Sequence, residues 1–256
     1  MTHEPLTGPT SDTFRDEYGP DLVGNWDTIA NWGIRQASEG SFFVSLLNAH
    51  GVDTVLDAAA GTGYHAWSLS TYGFQVTASD GAPTMVHRCR ENLIARSVDI
   101  PVVEADWREL STRVPGTFDA VLCLGNSFCH LFTVEDRQRT LEQFAAVLNP
   151  GGLLVLDTRN YDGMLANGFT EQKQSYCCGG DNVVITAPTI TEDLVRIHYA
   201  FADGTVLSVQ QAPTRHGELV QALDDAGFEH LTSYGDLAED YDPLGVEFVI
   251  HVARKR

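Results

Sequence analysis

The chain of 256 residues contains very little lysine. Only Lys173 and Lys255 occur, against 35 acidic residues, and the net charge is −19. A surface this negative repels phosphate groups, and no basic patch interrupts it, so we expect no nucleic-acid partner. Two explanations of the acidity remain open. One is a GC-rich composition with a soluble surface; the other is adaptation to high salt, where counterions screen the repulsion between carboxylates.

Long apolar runs are missing as well. No stretch approaches the roughly 20 apolar residues that span a bilayer. Residues 1–19 are polar and acidic, without the apolar core of a signal peptide. We therefore expect a cytoplasmic protein with no membrane partner. A hydrophobic fraction of 43% and this length suit a single α/β domain over residues 1–256.

Cysteine is too sparse and too irregularly spaced to form a framework. The number is odd, and no C-x-x-C pair is present among Cys89, Cys123, Cys129, Cys177 and Cys178. Such a set gives little support to disulfide bonds in a cytosolic protein or to a zinc site. We expect these side chains to pack in the core, and we expect no metal.

Strand-like and helix-like segments alternate through the first part of the chain. Predicted strands are residues 54–58, 74–78, 100–104, 118–124 and 153–157; predicted helices are residues 42–49, 83–95 and 134–148. This rhythm predicts a parallel sheet with helices on both faces.

The rhythm changes at residues 160–212, where β-prone runs and a hairpin turn at Ala202-Asp-Gly204 predict an antiparallel insertion that covers a ligand. A helix over residues 214–226, ended by Gly227, then leads to strands at 229–234 and 246–253.

The segment Asp57-Ala-Ala-Ala-Gly61-Thr-Gly63 lies between a predicted strand and a predicted helix. Its glycines allow a ligand to approach the backbone, and the helix start offers free N–H groups. The same segment fits the G-x-G-x-x-A dinucleotide fingerprint. An NAD-dependent oxidoreductase therefore remains an alternative at this point.

Acidic residues at strand ends favour S-adenosylmethionine over NAD. Asp80 ends the second strand, where a carboxylate accepts hydrogen bonds from the ribose of either cofactor. Asp57 would repel a pyrophosphate but attract the ammonium and sulfonium of S-adenosylmethionine, although a helix-capping role is the alternative. Asp106 and Trp107 close the third strand, where they suit an adenine amino group and ring.

Longer strings resemble the glycine and glycine/sarcosine N-methyltransferases, a family of class I S-adenosylmethionine-dependent methyltransferases. The resemblance covers Tyr18 to the C-terminus and is closest to the bacterial enzymes that feed glycine betaine synthesis. It implies a Rossmann-like fold, with a seven-stranded, mostly parallel sheet, helices on both faces and an antiparallel β insertion as a lid. The similar strings are Val55–Gly63, Ala105–Trp107, Cys123–Phe128 with His130, Pro150–Leu153, Asp157–Asp162, Tyr234–Asp236 and Phe248–Val252, with Asn25–Trp32 and Arg35–Phe43 in the leader.

The resemblance implies roles for matching positions. Residues 1–40 would cover the cofactor, through Trp26 and Arg35. The cofactor pocket would be formed by Asp57, Ala59, Gly61, Gly63, Asp80, Asp106, Trp107 and Leu124, with His130 either orienting a ligand or serving a structural role. The catalytic residues would be Asn126, which binds the substrate amine, and Arg159, which binds its carboxylate.

The chemistry of these residue types agrees with the implied roles. A guanidinium grips a carboxylate at two points, although a surface ion pair is the alternative for Arg159. Methyl transfer to an amine is an in-line displacement that depends mainly on positioning. The sequence thus predicts an enzyme that uses S-adenosylmethionine, leaves S-adenosylhomocysteine and methylates glycine and sarcosine.

The sequence departs from the family at two places. The leader has Trp32-Gly-Ile-Arg35, where relatives have an acidic or basic residue after the tryptophan, and the insertion has Gln210-Gln-Ala-Pro-Thr-Arg215, where relatives are apolar. The second departure concerns the acceptor pocket. A more polar, roomier pocket leaves another small amine or a natural product as an alternative acceptor. A non-catalytic S-adenosylmethionine-binding module is a further alternative, and the sequence leaves the oligomeric state open.

Overall fold

The structure is a computed structural model that describes residues 8–171, 175–178, 180 and 182–256. Residues 1–7 of the predicted N-terminal segment lie outside the described residues, as do 172–174, 179 and 181 of the predicted insertion, Lys173 among them. No helix in the described part combines the length and apolarity that crossing a bilayer requires.

Helices and strands follow one another along the described residues. The helices are α1 (Phe14–Glu17), α2 (Pro20–Ile29), α3 (Trp32–Glu39), α4 (Phe42–Ala49), α5 (Tyr64–Thr71), α6 (Pro83–Ala95), α7 (Leu110–Arg113), α8 (Val134–Val147), α9 (Tyr161–Asn167) and α10 (His216–Asp225). The strands are β1 (Thr54–Asp57), β2 (Gln75–Asp80), β3 (Val102–Glu104), β4 (Phe118–Cys123), β5 (Leu148–Arg159), β6 (Val183–Ile190), β7 (Val195–Phe201), β8 (Val206–Gln211), β9 (Phe228–Gly235) and β10 (Phe248–Lys255). Single-turn helices cover Trp107–Glu109 and Ser127–His130.

Seven strands form the main sheet in the order β3-β2-β1-β4-β5-β10-β9. Strands β1 to β5 run parallel, and β10 pairs antiparallel with both β5 and β9. Because side chains alternate along a strand, Val55 packs under α4, α5 and α6, while Leu56 packs under α7, α8 and α10. Both faces of the sheet are thus covered, which confirms the predicted fold class.

The strands β6, β7 and β8 form a separate antiparallel sheet. The predicted hairpin between β7 and β8 is confirmed, since Gly204 adopts a φ of 90° that only glycine tolerates easily. The apolar face of this sheet, with Ile185, Ile197 and Val209, packs with Leu22 and Ile29 of α2. The insertion therefore contacts the N-terminal helices rather than extending the main sheet.

Three features differ from the sequence prediction. Within the predicted β insertion, residues 161–167 form the helix α9, whose start is capped by the side chain of Asn160. Strand β5 begins at Leu148 rather than at residue 153, because a register shift against β4 accommodates Pro150 to Gly152, with Gly151 at a φ of 74°. The leader, for which no helix was predicted, contains α1, α2 and α3. These helices are short, so their apolar positions give little periodic signal, and packing against the rest of the chain stabilises them.

Four of the cysteines are buried with free thiols, as expected for packing residues: Cys89, Cys123, Cys129 and Cys177. Cys178 is also free but only partly buried.

Candidate active site

A cleft opens at the C-terminal edge of the parallel strands, the usual place for a ligand in such sheets. Helices α1, α2 and α3 contribute Phe14, Trp26 and Arg35 to its walls, and Tyr18, directly after α1, contributes a fourth side chain. Nine predicted cofactor residues line the cleft: Trp26, Arg35, Ala59, Gly61, Asp80, Asp106, Trp107, Leu124 and His130. The predicted residues Asp57, Gly63, Asn126 and Arg159 do not line it.

The glycine loop connects β1 to α5, and its two glycines have different tasks. Gly61 has a φ of 54°, and a side chain here would lie 3.6 Å from the indole nitrogen of Trp26. Gly63 has a φ of 100°, and a Cβ would come within 2.8 Å of Cys89 Sγ on α6. Gly61 thus keeps the cleft open, whereas Gly63 lets α5 and α6 pack closely behind it.

Asp80, at the end of β2, stabilises the glycine loop by hydrogen bonds to the backbone. Its Oδ2 accepts a hydrogen bond from Gly61 N and its Oδ1 accepts one from Ala82 N, each at 2.9 Å. Burial raises the pKa of Asp80 to about 6, against the opposite effect of these backbone donors. The carboxylate is therefore held in place on the cleft wall and titrates close to neutral pH.

Asp106 and Trp107 follow β3. Arg108 donates to Asp106 Oδ1 from its backbone N at 2.9 Å and from Nε at 3.0 Å, and Arg15 Nη2 donates to Oδ2 at 2.8 Å. Burial favours a higher pKa for Asp106, but the hydrogen bonds from Arg108 outweigh it and lower the pKa. Trp107 Nε1 donates to the Ala58 carbonyl at 2.6 Å, which fixes the indole beside the glycine loop.

Buried charged groups meet at the opposite end of the cleft. Arg35 Nε donates to Glu39 Oε1 at 2.6 Å, and Glu39 also lies 3.1 Å from Nε2 of His65. Burial disfavours the charge of Arg35, yet the adjacent Glu39 raises its pKa, so the guanidinium stays cationic. Its Nη2 is buried and makes no hydrogen bond to a described residue, whereas the carboxylate of Asp57 has the backbone N–H groups of Ala66 and Ala59 close by.

Asp57 ends β1 and is almost completely buried. Burial raises the pKa of Asp57, while His65 and Arg35 nearby act in the opposite direction. Sequence reasoning did not identify Glu39 or His65, because their pairing with Arg35 depends on how α3 packs against α5.

Tyr18 is a third residue that the sequence did not single out. Its hydroxyl lies 3.0 Å from His130 Nε2, across 112 residues of sequence, and its ring meets Trp26 edge-on at 5.4 Å. Burial lowers the pKa of His130 to about 4, so the imidazole is neutral near pH 7. His130 thus lines the cleft as a neutral partner of Tyr18.

The predicted catalytic residues lie together behind the cleft, next to Gly125 on its wall. Asn126 follows β4 with a φ of 62°, a left-handed conformation that asparagine tolerates. Its backbone N donates to Asp157 Oδ1 at 2.6 Å, and its Oδ1 accepts from Arg159 N at 2.7 Å. Its Nδ2 donates to the Tyr161 hydroxyl at 2.9 Å. Asn126 therefore ties β4 to the end of β5.

Arg159 is only 3% exposed, which excludes the surface ion pair considered above. Its Nη1 lies 3.3 Å from Glu247 Oε1, its Nη2 lies 4.0 Å from Cys178 Sγ, and its guanidinium stacks 4.7 Å from the Phe248 ring centroid. Burial raises the pKa of Glu247 to about 7, although Arg159 opposes the shift. None of these contacts of Arg159 has a local signal in the sequence, because the partner residues are distant along the chain.

The unusual segment Gln210–Arg215 reaches this network at a single point. Gln211 is buried, and its Oε1 accepts a hydrogen bond from the Tyr161 hydroxyl at 3.2 Å. Gln210 N instead donates to Glu17 Oε1 at 2.9 Å, and Arg215 pairs with Glu192 at the surface. Gln211 is therefore linked to Asn126 by hydrogen bonds that both residues make with the Tyr161 hydroxyl.

Comparisons with known proteins show which proteins the chain resembles. A family model described as a methyltransferase domain matches residues 55–152. The glycine/sarcosine N-methyltransferase of Aphanothece halophytica is 41% identical over 98% of this chain and 94% of its own length. That of Halorhodospira halochloris is 37% identical over the same shares of the two chains.

Among solved structures, an S-adenosylmethionine-dependent methyltransferase from Clostridium acetobutylicum has the same fold. Its TM-score is 0.74 at 14% identity, over 92% of this chain and 98% of that one. The fold, the cleft and the near-complete coverage of these relatives together identify the chain as a methyltransferase and a member of the glycine/sarcosine N-methyltransferase family.

Proposed function

We propose that the enzyme transfers a methyl group from S-adenosylmethionine to the amine of glycine and of sarcosine. The observation that carries this proposal is Arg159, a buried and cationic guanidinium whose backbone is fixed by Asn126 next to the cofactor cleft. A buried arginine of this kind suits a small carboxylate, because its planar donors match two carboxylate oxygens. Asn126, one residue from the cleft wall, would then face the amine.

The unpaired groups in and beside the cleft fit the cofactor. The free Nη2 of Arg35 suits the carboxylate of the methionine moiety, and the buried oxygens of Asp57 suit its ammonium. Asp80 has further lone pairs for ribose hydroxyls, and the Trp107 indole would shield the adenine. Asp106 would bind the adenine amino group only if its carboxylate oxygens accepted this hydrogen bond in addition to those from Arg15 and Arg108.

When bound, the cofactor supplies an electrophilic methyl group on a sulfonium. The amine nitrogen forms the new N–C bond as the S–C bond breaks, and the product ammonium releases a proton. The protein's part is to hold the acceptor in line and to keep water away. The neutral His130, bonded to Tyr18, would help to orient groups at the junction of the two sites.

We assign covering roles to two segments. Residues 1–40 supply Phe14, Tyr18, Trp26 and Arg35 to the cleft, which supports a role in covering the cofactor. The insertion at residues 160–212 packs its three-stranded sheet against α2, which supports a lid over the acceptor end. Both belong to the single methyltransferase domain of residues 1–256.

The products fit the synthesis of glycine betaine, an osmolyte, and the acidic composition suits a host under salt stress. Five free thiols support a reducing compartment, the cytoplasm. A small amino acid is the partner that the site requires, and the acidic surface disfavours nucleic acid.

A panel of amines with labelled S-adenosylmethionine tests the assignment. Glycine and sarcosine should be methylated, whereas glycinamide and methylamine, which lack the carboxylate, should react at least about 100-fold more slowly because Arg159 loses its partner. Equal methylation of glycinamide, or activity only on a larger amine, would overturn the proposed acceptor. Calorimetry completes the test: S-adenosylhomocysteine should bind and NADH should not.

A further inference from the structure

Two adjacent thiols lie beside Arg159 in a short turn, Ser175–Cys178. The sulfur atoms of Cys177 and Cys178 are 3.8 Å apart. Cys178 Sγ also lies 3.1 Å from the hydroxyl of Ser175 and 4.0 Å from Nη2 of Arg159. Cys178 is thus the one cysteine of the chain that combines partial exposure with a second thiol and a fixed cation.

The surroundings make the two thiols unequal. Donation from the Cys177 thiol lowers the pKa of Cys178, and the charge of Arg159 acts in the same direction against burial. The pKa of Cys177 is raised by its bond to Cys178 and by burial. A thiolate is the reactive form of cysteine, so Cys178 is the nucleophile of the pair and Cys177 its resolving partner.

The turn is connected to the catalytic residues. Tyr176, between Ser175 and the two thiols, donates its hydroxyl hydrogen bond to Asp157, and Asp157 accepts the backbone N–H of Asn126. A disulfide brings its sulfurs to about 2.05 Å, so closing the bond requires them to approach by nearly 2 Å. That movement draws Cys178 toward Cys177 and shifts Tyr176 with it.

We propose that Cys177 and Cys178 are a peroxide-sensitive dithiol, whose oxidation to a disulfide displaces the acceptor-binding residues Asn126 and Arg159. The Cys178 thiolate attacks hydrogen peroxide, so that an S–O bond forms, the O–O bond breaks and the leaving hydroxide takes up a proton. The Cys177 sulfur then attacks the sulfenic acid, releases its proton and expels hydroxide, which leaves as water. In total two thiols lose two electrons and one peroxide becomes two waters.

Peptide mapping tests the disulfide directly. Trypsin cleavage after Lys173 and Arg196 gives a peptide, residues 174–196, whose only cysteines are Cys177 and Cys178. After mild peroxide treatment this peptide should lose two hydrogen atoms in mass and resist alkylation, and dithiothreitol should reverse both changes. Peroxide treatment that leaves both thiols free for alkylation would overturn the proposal.

Variants separate the roles of the two sulfurs. Cys177→Ser should stop at a sulfenic acid on residue 178 that dimedone traps, and Cys178→Ser should stay unmodified in this peptide. Cys89→Ala, which removes a buried thiol far from the turn in sequence, should still form the disulfide. Dimedone labelling at position 177 in Cys178→Ser would contradict the assigned nucleophile.

The effect on turnover rests on the proposed function. In the oxidised enzyme, kcat/KM for glycine should fall by about 10- to 100-fold, the range expected for a misplaced binding group, while affinity for S-adenosylhomocysteine changes by less than about twofold. A quantitative disulfide with unchanged glycine kinetics would overturn the link to Asn126 and Arg159. The mass measurement needs no substrate, so a wrong acceptor assignment would not disturb it.

Discussion

The proposed cofactor end and the proposed acceptor end of the site use their polar groups in different ways. At this proposed cofactor end, Arg35 Nη2 is buried and bonded to no described residue, and the buried carboxylate of Asp57 has the backbone N–H groups of Ala66 and Ala59 beside it. At the acceptor end, Arg159 already contacts Glu247 and Cys178. One end thus keeps a single buried guanidinium nitrogen without a partner beside the Arg35–Glu39 pair, whereas the guanidinium at the other end is held by Glu247.

The difference has an energetic consequence. A buried polar atom without a hydrogen-bond partner is costly, so a ligand that bonds to Nη2 of Arg35 gains the free energy of relieving that cost. An acceptor carboxylate gains less at Arg159, because it must displace or share with Glu247. We therefore expect tight cofactor binding and weak acceptor binding, and the predictions below separate the two ends.

The largest effect is expected for Arg159→Ala. Loss of the carboxylate partner should reduce kcat/KM for glycine by about 100-fold or more, as for truncation of a buried charge pair, while the affinity for S-adenosylhomocysteine changes less than about twofold. Kinetics and calorimetry on one preparation measure both quantities. Arg215→Ala, which removes an exposed arginine paired with Glu192, is the matched control and should behave like the wild type. If Arg159→Ala kept the wild-type kcat/KM for glycine, Arg159 would not bind the acceptor carboxylate and the proposed acceptor end would be wrong.

Arg35→Met should give the converse result. Without its guanidinium the cofactor carboxylate loses a charged donor, and S-adenosylhomocysteine should bind about 10- to 30-fold more weakly, in line with one charge-assisted hydrogen bond. The KM for glycine at saturating cofactor should stay near the wild-type value. Arg88→Met, in which an arginine paired with Asp27 is lost from α6, is the control. An effect on glycine alone would contradict the assignment of Arg35.

Asp80→Asn should remove a pH dependence of cofactor binding. The pKa of Asp80 is raised to about 6, so the wild-type carboxylate is protonated below that pH and accepts ribose hydrogen bonds poorly. Affinity for S-adenosylhomocysteine should rise about 10-fold from pH 5 to pH 7.5, one pKa unit being 1.36 kcal/mol. In the variant, the affinity for S-adenosylhomocysteine should change less between pH 5 and pH 7.5. Calorimetry across this pH range measures both proteins.

The same shift has the opposite sign for stability. A raised pKa means that the free protein gains stability from Asp80 at low pH and loses it as the pH rises through 6. Thermal unfolding of the wild type and of Asp80→Asn, without cofactor, should therefore differ most above pH 6. A pH profile of cofactor affinity that is identical in both proteins would rule out Asp80 as the titrating group.

Glu247→Gln should have the smallest and most diagnostic effect. Glu247 competes for Arg159 only when ionised, and its pKa is raised to about 7. At pH 8.5 the variant should show a KM for glycine about threefold lower, a weak charge pair being removed. At pH 6 the two enzymes should differ little, because the wild-type carboxyl is then largely protonated. Glu229→Gln, an exposed position on β9, is the control. A KM that rises in Glu247→Gln would mean that Glu247 binds the acceptor instead of competing with it.

The cofactor end was largely predictable because its signals are local. Gly61, Asp80 and Asp106 each follow a strand, and parallel strands bring their ends to one edge. At the proposed acceptor end, the sequence indicated Asn126 and Arg159 as single residues but not the contacts that surround them. The contact of Arg159 with Glu247 joins positions 88 residues apart, and that of Tyr18 with His130 joins positions 112 residues apart. Such pairs arise from packing between elements, which periodicity and spacing do not encode.

The central claim is that Glu247 and the acceptor carboxylate compete for Arg159. A structure with S-adenosylhomocysteine and glycine bound tests this claim most directly. The account predicts that the glycine carboxylate pairs with Arg159, that the Arg159–Glu247 contact of 3.3 Å lengthens or is shared, and that Arg35 and Asp57 bind the methionine moiety without rearrangement. Glycine bound elsewhere, with the Arg159–Glu247 contact intact, would contradict it.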